Sequence, residues 1–383
     1  MNNFVFQNPT KLIFGKGTIA SLATEIPADK KILMTYGGGS IKANGVYDQV
    51  KEALKNHSVT EFAGIEPNPT YETLIKAVEI VKEQKIDFLL AVGGGSVIDG
   101  TKFIAAAVVY NGDPWDLLID QNKITDALPL ASVLTLPATG SEMNGNAVIS
   151  KKATHEKLAF GSIKANPVFS ILDPEVTYSL PKRQVANGIV DTFVHVCEQY
   201  LTYPSQAMVQ DRFAEGILST LTELGEKVIA DNTNYDLMSN FMYSATLALN
   251  GFIAMGVPQD WATHSIGHEL TAFHGLDHAV TLAIVQPSLW RVMREEKKAK
   301  LLQYGERVWN ITTGSDDEKV EAAIAKTENF YRSVGIKTKL SEYGIGSESI
   351  NSIVERFEQR GWKLGENGTI TPDKVREILN GCL

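Results

Sequence analysis

The chain has 383 residues, of which 44% are hydrophobic and 21% are charged, and its formal net charge at pH 7 is −9. This is the composition of a globular protein, and the length favours two domains over one ordinary core. The acidic balance argues against nucleic acid or an anionic membrane surface as a partner. The N-terminal residues show no basic segment followed by an apolar run, and two cysteines cannot form a disulfide framework. We therefore expect a cytoplasmic protein with no membrane and no nucleic-acid partner.

Strand and helix patterns alternate through the first half of the chain. Short apolar runs that lead into glycine-containing turns lie at 31–40, 59–69 and 86–96, and helix-patterned segments separate them. A further apolar run at 132–137 precedes the loop ATGSEMNGN. Apolar strands of this kind, separated by helices, indicate a parallel α/β sheet.

The pattern changes at Leu180–Pro181. Pro181 is well placed for the first turn of a helix, and from there to the end long segments fit a 3.6-residue period. The sequence therefore predicts an α/β domain over 1–180 and an α-helical domain over 181–383.

Glycine-rich loops at two predicted strand ends indicate a nucleotide. In VGGGSVIDGTK the glycines would let the backbone approach a phosphate at a helix N-terminus. A tight turn without a ligand is the alternative, and the loop is not a G-x-G-x-x-G fingerprint. Thr139 and Ser141 add hydroxyl groups at another strand end, where ligands of parallel sheets gather.

The loop TYGGGSIK bears on which dinucleotide is bound. Enzymes that choose NAD usually place a carboxylate near the ribose 2′-hydroxyl, whereas this loop has Gly39 and Ser40, with Lys42 nearby. A 2′-phosphate would not be repelled there, and Ser40 and Lys42 could hold it. The alternative is a plain turn with a solvated lysine.

Four residues form a candidate metal site. Asp191 and His195 are four apart in a helical pattern and so share one face, and His264 and His278 bracket a segment that holds four of the seven histidines. One carboxylate and three imidazoles suit Zn²⁺ or Fe²⁺ and leave a coordination position open. Spacing alone does not bring the two segments together, and an Asp-x3-His pair on a helix is common without a metal.

Several motifs in a fixed order resemble the iron-containing (group III) alcohol dehydrogenases. They are NPTKLIFGKG (8–17), GGGSVIDGTK (93–102), LPATGSE (136–142), LDPE (172–175), ANGIVDTFVHVCEQY (186–200) and ATHSIGHELTAFHGLDHA (262–279). The chain looks most similar to the NADPH-dependent butanol dehydrogenase and broad-range aldehyde reductase branch of that family. The resemblance covers nearly the whole chain.

The resemblance implies a dehydroquinate synthase-like fold, in which a Rossmann-like dinucleotide-binding domain joins an all-α metal-binding domain and the active site lies in the cleft between them. It implies one divalent metal, Zn²⁺ or Fe²⁺, held by Asp191, His195, His264 and His278. It places His268 near the reacting centre as a catalytic candidate and leaves His274 without a clear role. The expected NADP(H) contacts are Gly37, Gly38, Ser40, Asn68, Gly94, Gly95, Ser96, Asp99, Thr135, Thr139, Ser141 and Lys157.

The resemblance also implies the activity. We expect hydride transfer between NADPH and short- to medium-chain aldehydes, with the metal polarising the carbonyl oxygen, in a homodimer. His268, water or a ribose relay could deliver the proton. The alternatives are a glycerol dehydrogenase-like or other polyol dehydrogenase of the same fold, a related cyclase, a metal-dependent hydrolase, or a protein that binds without catalysis. HSIGHE lacks the H-E-x-x-H order of a zincin, which weighs against the hydrolase.

Overall fold

The structure is a computed structural model that describes residues 1–383. It divides into two compact units. The unit that we call the sheet unit comprises Gln7–Pro181 and Asn232–Asn250, and the unit that we call the helical unit comprises Met1–Phe6, Lys182–Asp231 and Gly251–Leu383.

A six-stranded sheet, parallel throughout, forms the centre of the sheet unit, with the strand order β1-β8-β5-β4-β2-β3. Its strands are β1 (Lys11–Phe14), β2 (Lys31–Tyr36), β3 (Ser58–Phe62), β4 (Phe88–Gly93), β5 (Leu130–Leu134) and β8 (Phe169–Leu172). A separate antiparallel hairpin joins β6 (Asn146–Lys151) to β7 (Glu156–Gly161). The helices of this unit are α1 (Leu22–Glu25), α2 (Ser40–Ala43), α3 (Val46–Ala53), α4 (Tyr71–Gln84), α5 (Gly95–Val109), α6 (Asp116–Ile119) and α9 (Tyr235–Ala248).

Both faces of the sheet are buried at its central strands, as the apolar runs predict. All residues of β4 and β5 are buried. Leu89 and Ala91 belong to the apolar core on one face, whereas Leu90 and Val92 belong to the core on the other. This alternation is that of a central parallel strand covered by helices on both sides. The predicted fold class is confirmed.

Helices make up the regular structure of the helical unit. They are α7 (Lys182–Tyr200), α8 (Met208–Ala230), α10 (Ala262–His274), α11 (His278–Val292), α12 (Arg294–Trp309), α13 (Asp316–Ser333), α14 (Ile350–Arg360) and α15 (Pro372–Gly381). Every residue of α7 from Gly188 to Tyr200 is buried. A helix buried all round must find partners for its polar side chains, and these partners define the candidate site. No helix is both long enough and apolar enough to cross a membrane.

The two units are not continuous in sequence. The segment Asn232–Asn250, with α9, belongs to the sheet unit, where Met242 joins the core and Thr246 donates a hydrogen bond to the Glu142 carboxylate. The first six residues belong to the helical unit. The domain limits 1–180 and 181–383 stay a prediction, and the compact units differ from them in these two segments.

Candidate metal and nucleotide sites

Three helices of the helical unit bring the four predicted metal ligands together. The Oδ1 atom of Asp191 lies 3.6 Å from Nε2 of His195, 3.8 Å from Nε2 of His264 and 3.7 Å from Nε2 of His278. These distances are too long for hydrogen bonds. Ligand atoms about 2.0–2.1 Å from one tetrahedral ion are about 3.4 Å apart, so the spacing suits donors that share a cation.

The burial of these atoms supports the same fit. Nε2 of His264 is buried and has no hydrogen-bond partner, and a bound cation would remove the cost of leaving that nitrogen unsatisfied. Donor atoms of Asp191, His195 and His264 all lie within 4.8 Å of one another. His278 lies outside that tightest group, although it reaches the same carboxylate oxygen. The donor set suits Zn²⁺ and Fe²⁺ alike.

A helix break explains how His278 reaches the site. Gly275 ends α10 with a φ of 68°, a left-handed conformation that glycine adopts without a Cβ penalty. The chain then turns within the three residues 275–277, and His278 becomes the first residue of α11. This break lets two histidines of one segment approach Asp191 from two different helices.

Glu198 is the residue of this site that the sequence analysis missed. Its Oε1 accepts a hydrogen bond from the Thr263 backbone N–H at 2.6 Å, and its Oε2 accepts one from Nδ1 of His264. Glu198 lies seven residues after Asp191 on α7, so the i, i+4, i+7 series at 191, 195 and 198 could have pointed to it.

The two carboxylates also set the proton affinity of His264. Burial lowers the pKa of His264, but Glu198 and Asp191 outweigh that effect and raise the pKa to about 9. A metal that binds at this ring must therefore displace a proton, and metal binding becomes dependent on pH.

The remaining histidines of the segment have different surroundings. The ring centroid of His268 lies 5.1 Å from that of His278 and 6.3 Å from that of His264, beside two of the predicted ligands. Nε2 of His274 lies 2.7 Å from Oγ of Ser349, just before α14. His274, which had no predicted role, thus ties the end of α10 to the start of α14.

The predicted nucleotide loops meet at one edge of the sheet unit. Residues 37–40 follow β2, residues 94–96 follow β4 and residues 135–141 follow β5, and these three strands are neighbours in the parallel sheet. The Thr135 N–H donates to the Gly93 carbonyl at 3.0 Å. The carboxyl ends of adjacent parallel strands are where ligands of such sheets bind.

Close packing accounts for two of the glycines. A Cβ added at Gly95 would lie 2.5 Å from Oγ1 of Thr139, and one at Gly94 would lie 3.1 Å from Cβ of Leu136. The loop after β5 therefore packs directly on the start of α5. The first N–H groups of α5 have no acceptor within the helix, so the same geometry suits an anion.

Asn68 and Lys157 join this edge from more distant parts of the chain. Lys157, on β7, donates from Nζ to Oδ1 of Asn68 at 2.9 Å, and the Asn68 N–H donates to Oγ of Ser96 at 3.3 Å. The hairpin thus carries its lysine to the loop that precedes α4.

Asp99 contacts the protein itself through both carboxylate oxygens. Its Oδ1 accepts from Oγ of Ser141 at 2.5 Å and its Oδ2 accepts from the Val148 N–H at 2.9 Å. Desolvation raises the pKa of Asp99. Desolvation also lowers the pKa of the buried Lys102 to about 8, although the negative charges of Asp99 and Glu142 act to raise it. These contacts give Asp99 a role in fixing the loop that carries Ser141.

The loop after β2, where the sequence predicts the adenosine ribose, carries no carboxylate at residues 37–40. Gly39 has a φ of 101°, and Nζ of Lys42 lies 5.3 Å and 4.9 Å from the ring centroids of Tyr36 and Tyr47. Lys42 is exposed and lies over two aromatic rings. The nearby Glu61 carboxylate accepts from both tyrosine hydroxyls and pairs with Lys51.

A parallel sheet with glycine-rich strand ends and a carboxylate among three imidazoles are the combination expected of a metal- and nucleotide-dependent dehydrogenase. Two family models match the chain, the iron-containing alcohol dehydrogenase over residues 9–174 and the C-terminal model of the Fe-containing alcohol dehydrogenase family over 185–383. The chain belongs to the iron-containing alcohol dehydrogenase family, and the resemblance drawn from its motifs is confirmed.

Similar proteins include named enzymes and solved structures. The chain is 60% identical to the NADPH-dependent aldehyde reductase YqhD of Escherichia coli K12, with 100% of both chains covered. It is 44% identical to a probable NADH-dependent butanol dehydrogenase of Bacillus subtilis, again over 100% of both. The solved structure of an NADH-dependent butanol dehydrogenase from Thermotoga maritima has a TM-score of 0.96 at 38% identity and covers 100% of this chain and 99% of its own.

Proposed function

We propose that the protein is a metal- and NADP(H)-dependent alcohol dehydrogenase that works as an aldehyde reductase on short- to medium-chain aldehydes. The observation that carries the proposal is the approach of three imidazole Nε2 atoms to within 3.6–3.8 Å of one buried carboxylate oxygen. Asp191, His195, His264 and His278 are the proposed ligands of one divalent ion, Zn²⁺ or Fe²⁺.

A bound divalent ion supplies a Lewis acid for the carbonyl oxygen, and NADPH supplies the hydride. The protein contributes position and charge. The buried Asp191 carboxylate offsets part of the charge of the cation, and the helices hold the imidazoles at fixed spacing. His268, whose ring lies beside His278, is the proposed donor of the proton that aldehyde reduction consumes.

NADP(H) is the proposed cofactor, and the contacts proposed for it are those predicted from the sequence. The loop after β2 offers Gly39 and Ser40 where a carboxylate would select NAD. Named relatives differ on this point, since the Escherichia coli reductase is called NADPH-dependent and the butanol dehydrogenases of Bacillus subtilis and Thermotoga maritima NADH-dependent.

We also propose a homodimer in the cytoplasm. The helical unit exposes apolar side chains at its N-terminal segment and on α8, among them Val5 and Met208, which are 97% and 74% exposed. Exposed apolar side chains of this size favour an interaction surface in this unit.

The proposed function is tested by following NADPH absorbance with butanal as substrate, on protein purified without chelator and analysed for bound metal. We expect butanal reduction to depend on the metal and to be faster with NADPH than with NADH. Glycerol with NADP⁺ belongs in the same assay. Turnover that survives complete metal removal, or glycerol oxidation that exceeds butanal reduction, would contradict the proposal.

The role proposed for His268 is tested with His268→Ala. We expect bound metal to be retained and turnover to fall by roughly 100-fold, the usual contribution of a positioned proton donor. His274→Ala, on the same helix but bonded to Ser349, is the matched control and should turn over normally. Equal rates in parent and His268→Ala would assign the proton to water or to a ribose hydroxyl.

A further inference from the structure

We propose that Glu198 is a positioning residue that fixes the ring orientation and the tautomer of His264 for metal binding. This inference rests on the proposed function, because it concerns the same metal. Glu198 is 3% exposed and lies on the face of α7 that carries Asp191 and His195. Glu198 contacts Nδ1 of the His264 ring, whereas Asp191 lies near Nε2, on the opposite side of the same ring.

Both oxygens of the Glu198 carboxylate are bonded to the first turn of α10. One accepts from the Thr263 backbone N–H at 2.6 Å and the other from Nδ1 of His264. A single side chain thus holds the start of the helix and the ring that the helix carries. The ring cannot rotate about its side-chain bonds without breaking the bond from Nδ1 to the carboxylate.

The bond from Nδ1 decides which nitrogen can bind a cation. A hydrogen on Nδ1 leaves the lone pair of the neutral ring on Nε2. Nε2 of His264 is buried, has no hydrogen-bond partner and faces Oδ1 of Asp191 at 3.8 Å. The opposite tautomer would set a lone pair against the Glu198 carboxylate and a hydrogen where the cation has to bind.

A buried ionic cluster holds Glu198 in place. The Glu198 carbonyl accepts from the Asp260 N–H at 2.9 Å. The Asp260 carboxylate pairs with Nζ of Lys297 at 2.9 Å, and Lys297, which is 2% exposed, also donates to the Leu201 carbonyl and to Glu366. The end of α7 and the segment before α10 are therefore fixed to each other, and Glu198 keeps its distance from the ring.

The test is Glu198→Gln in full-length protein stripped of metal and titrated with Zn²⁺ against a competing chelator. A carboxylate can accept both bonds, whereas an amide has only one oxygen and must present N–H to the other partner. We expect the dissociation constant for Zn²⁺ to rise by about 10- to 100-fold, while the far-UV spectrum stays that of the parent. An unchanged dissociation constant would overturn the inference.

Glu215→Gln is the matched control. Glu215 is also a buried glutamate of the helical unit, and it bonds to Tyr200, Gln303 and Arg307. Its loss should lower the melting temperature without changing the affinity for Zn²⁺. A parent protein that binds neither Zn²⁺ nor Fe²⁺ would overturn the proposed function itself, whereas a parent that binds Zn²⁺ only as tightly as Glu198→Gln does would overturn this inference alone.

A second measurement needs no variant of Glu198. In Zn²⁺-loaded protein labelled with ¹⁵N-histidine, the nitrogen shifts of His264 should report a metal on Nε2 and a hydrogen on Nδ1. Coordination through Nδ1 would overturn the proposed role even if Glu198→Gln did not fold.

Discussion

Oδ1 of Asp191 is the common centre of the proposed metal site, since it lies 3.6 Å, 3.8 Å and 3.7 Å from Nε2 of His195, His264 and His278. A carboxylate that is 4% exposed is costly without a cation. Removing the carboxylate removes both the ligand and the negative charge that offsets the ion. Removing one imidazole leaves the charge but opens the coordination shell.

Asp191→Ala and His264→Ala should each lose the bound metal and reduce aldehyde turnover by about 1,000-fold, because the Lewis acid is lost. Metal analysis, turnover and circular dichroism check this together. His274→Ala is the control, since it removes a histidine of the same helix that bonds Ser349. Full metal content in both site variants would contradict the proposed ligands.

Gly39→Asp should reverse or reduce the preference for NADPH, because the added carboxylate repels a 2′-phosphate and accepts a bond from a 2′-hydroxyl. The φ of 101° at this position makes any side chain there strained. Gly39→Asn is therefore the matched control, with the same strain and no charge. The measurement is kcat/KM for NADPH and NADH in parent and both variants. The same ratio of kcat/KM for NADPH and NADH in the Asp and Asn variants would show that charge at this position does not determine the cofactor preference.

At the level of elements, the N-terminus of α5 depends on contact with the loop after β5. Gly95→Ala would put a Cβ at 2.5 Å from Oγ1 of Thr139, so the loop must move. We expect KM for NADPH to rise by about tenfold, which corresponds to about 1.4 kcal/mol of lost binding. Titration of cofactor binding by fluorescence gives an independent value.

The control for Gly95→Ala is a glycine that is free to accept a side chain. Gly216 lies within α8, is exposed, and has nothing within 4 Å of an added Cβ. Gly216→Ala should raise the stability by about 0.5–1 kcal/mol, as alanine does in a helix interior, and leave KM unchanged. A normal KM in Gly95→Ala would show that the loop after β5 does not shape the cofactor site.

The sequence predicted the elements whose own residues carry a clear apolar or helical pattern. The strand at Phe88–Gly93 is apolar throughout, and Asp191 and His195 share a helix face by spacing alone. Long-range contacts are not encoded in this way. The sequence does not show that α9 joins the sheet unit through Thr246, because its apolar stripe would suit either unit. The spacing of 191, 195 and 198 places Glu198 on the ligand face of α7, but its partner His264 shows only once α10 lies beside α7.

For the whole molecule, the surface of the helical unit bears on assembly. The ring centroid of Phe252 lies 6.3 Å from that of Phe6 and 4.8 Å from that of Phe213. These contacts join the exposed N-terminal segment to α8. We expect light scattering to give twice the chain mass of 41.9 kDa. Val5→Glu combined with Met208→Glu should shift the protein to the monomer.

The control for that surface is Ile119→Glu. Ile119 is 65% exposed and lies in the sheet unit, so it tests whether any new charge at an exposed apolar residue changes the mass. A monomeric parent protein would contradict the proposed homodimer. A dimer that survives the double substitution would place the interface elsewhere.

The position of the proposed ligands in the chain means that the metal ion also affects the stability of the protein. All four belong to the helical unit, on α7, α10 and α11, whereas the proposed nucleotide contacts all belong to the sheet unit. The ion is then a reversible cross-link between residues 191 and 278, and it restricts the unfolded chain much as a disulfide does. By mass action, free metal at 1,000 times its dissociation constant raises the free energy of unfolding of the helical unit by about 4 kcal/mol. We therefore expect loss of the ion to lower the stability of the helical unit and nucleotide binding to raise the stability of the sheet unit.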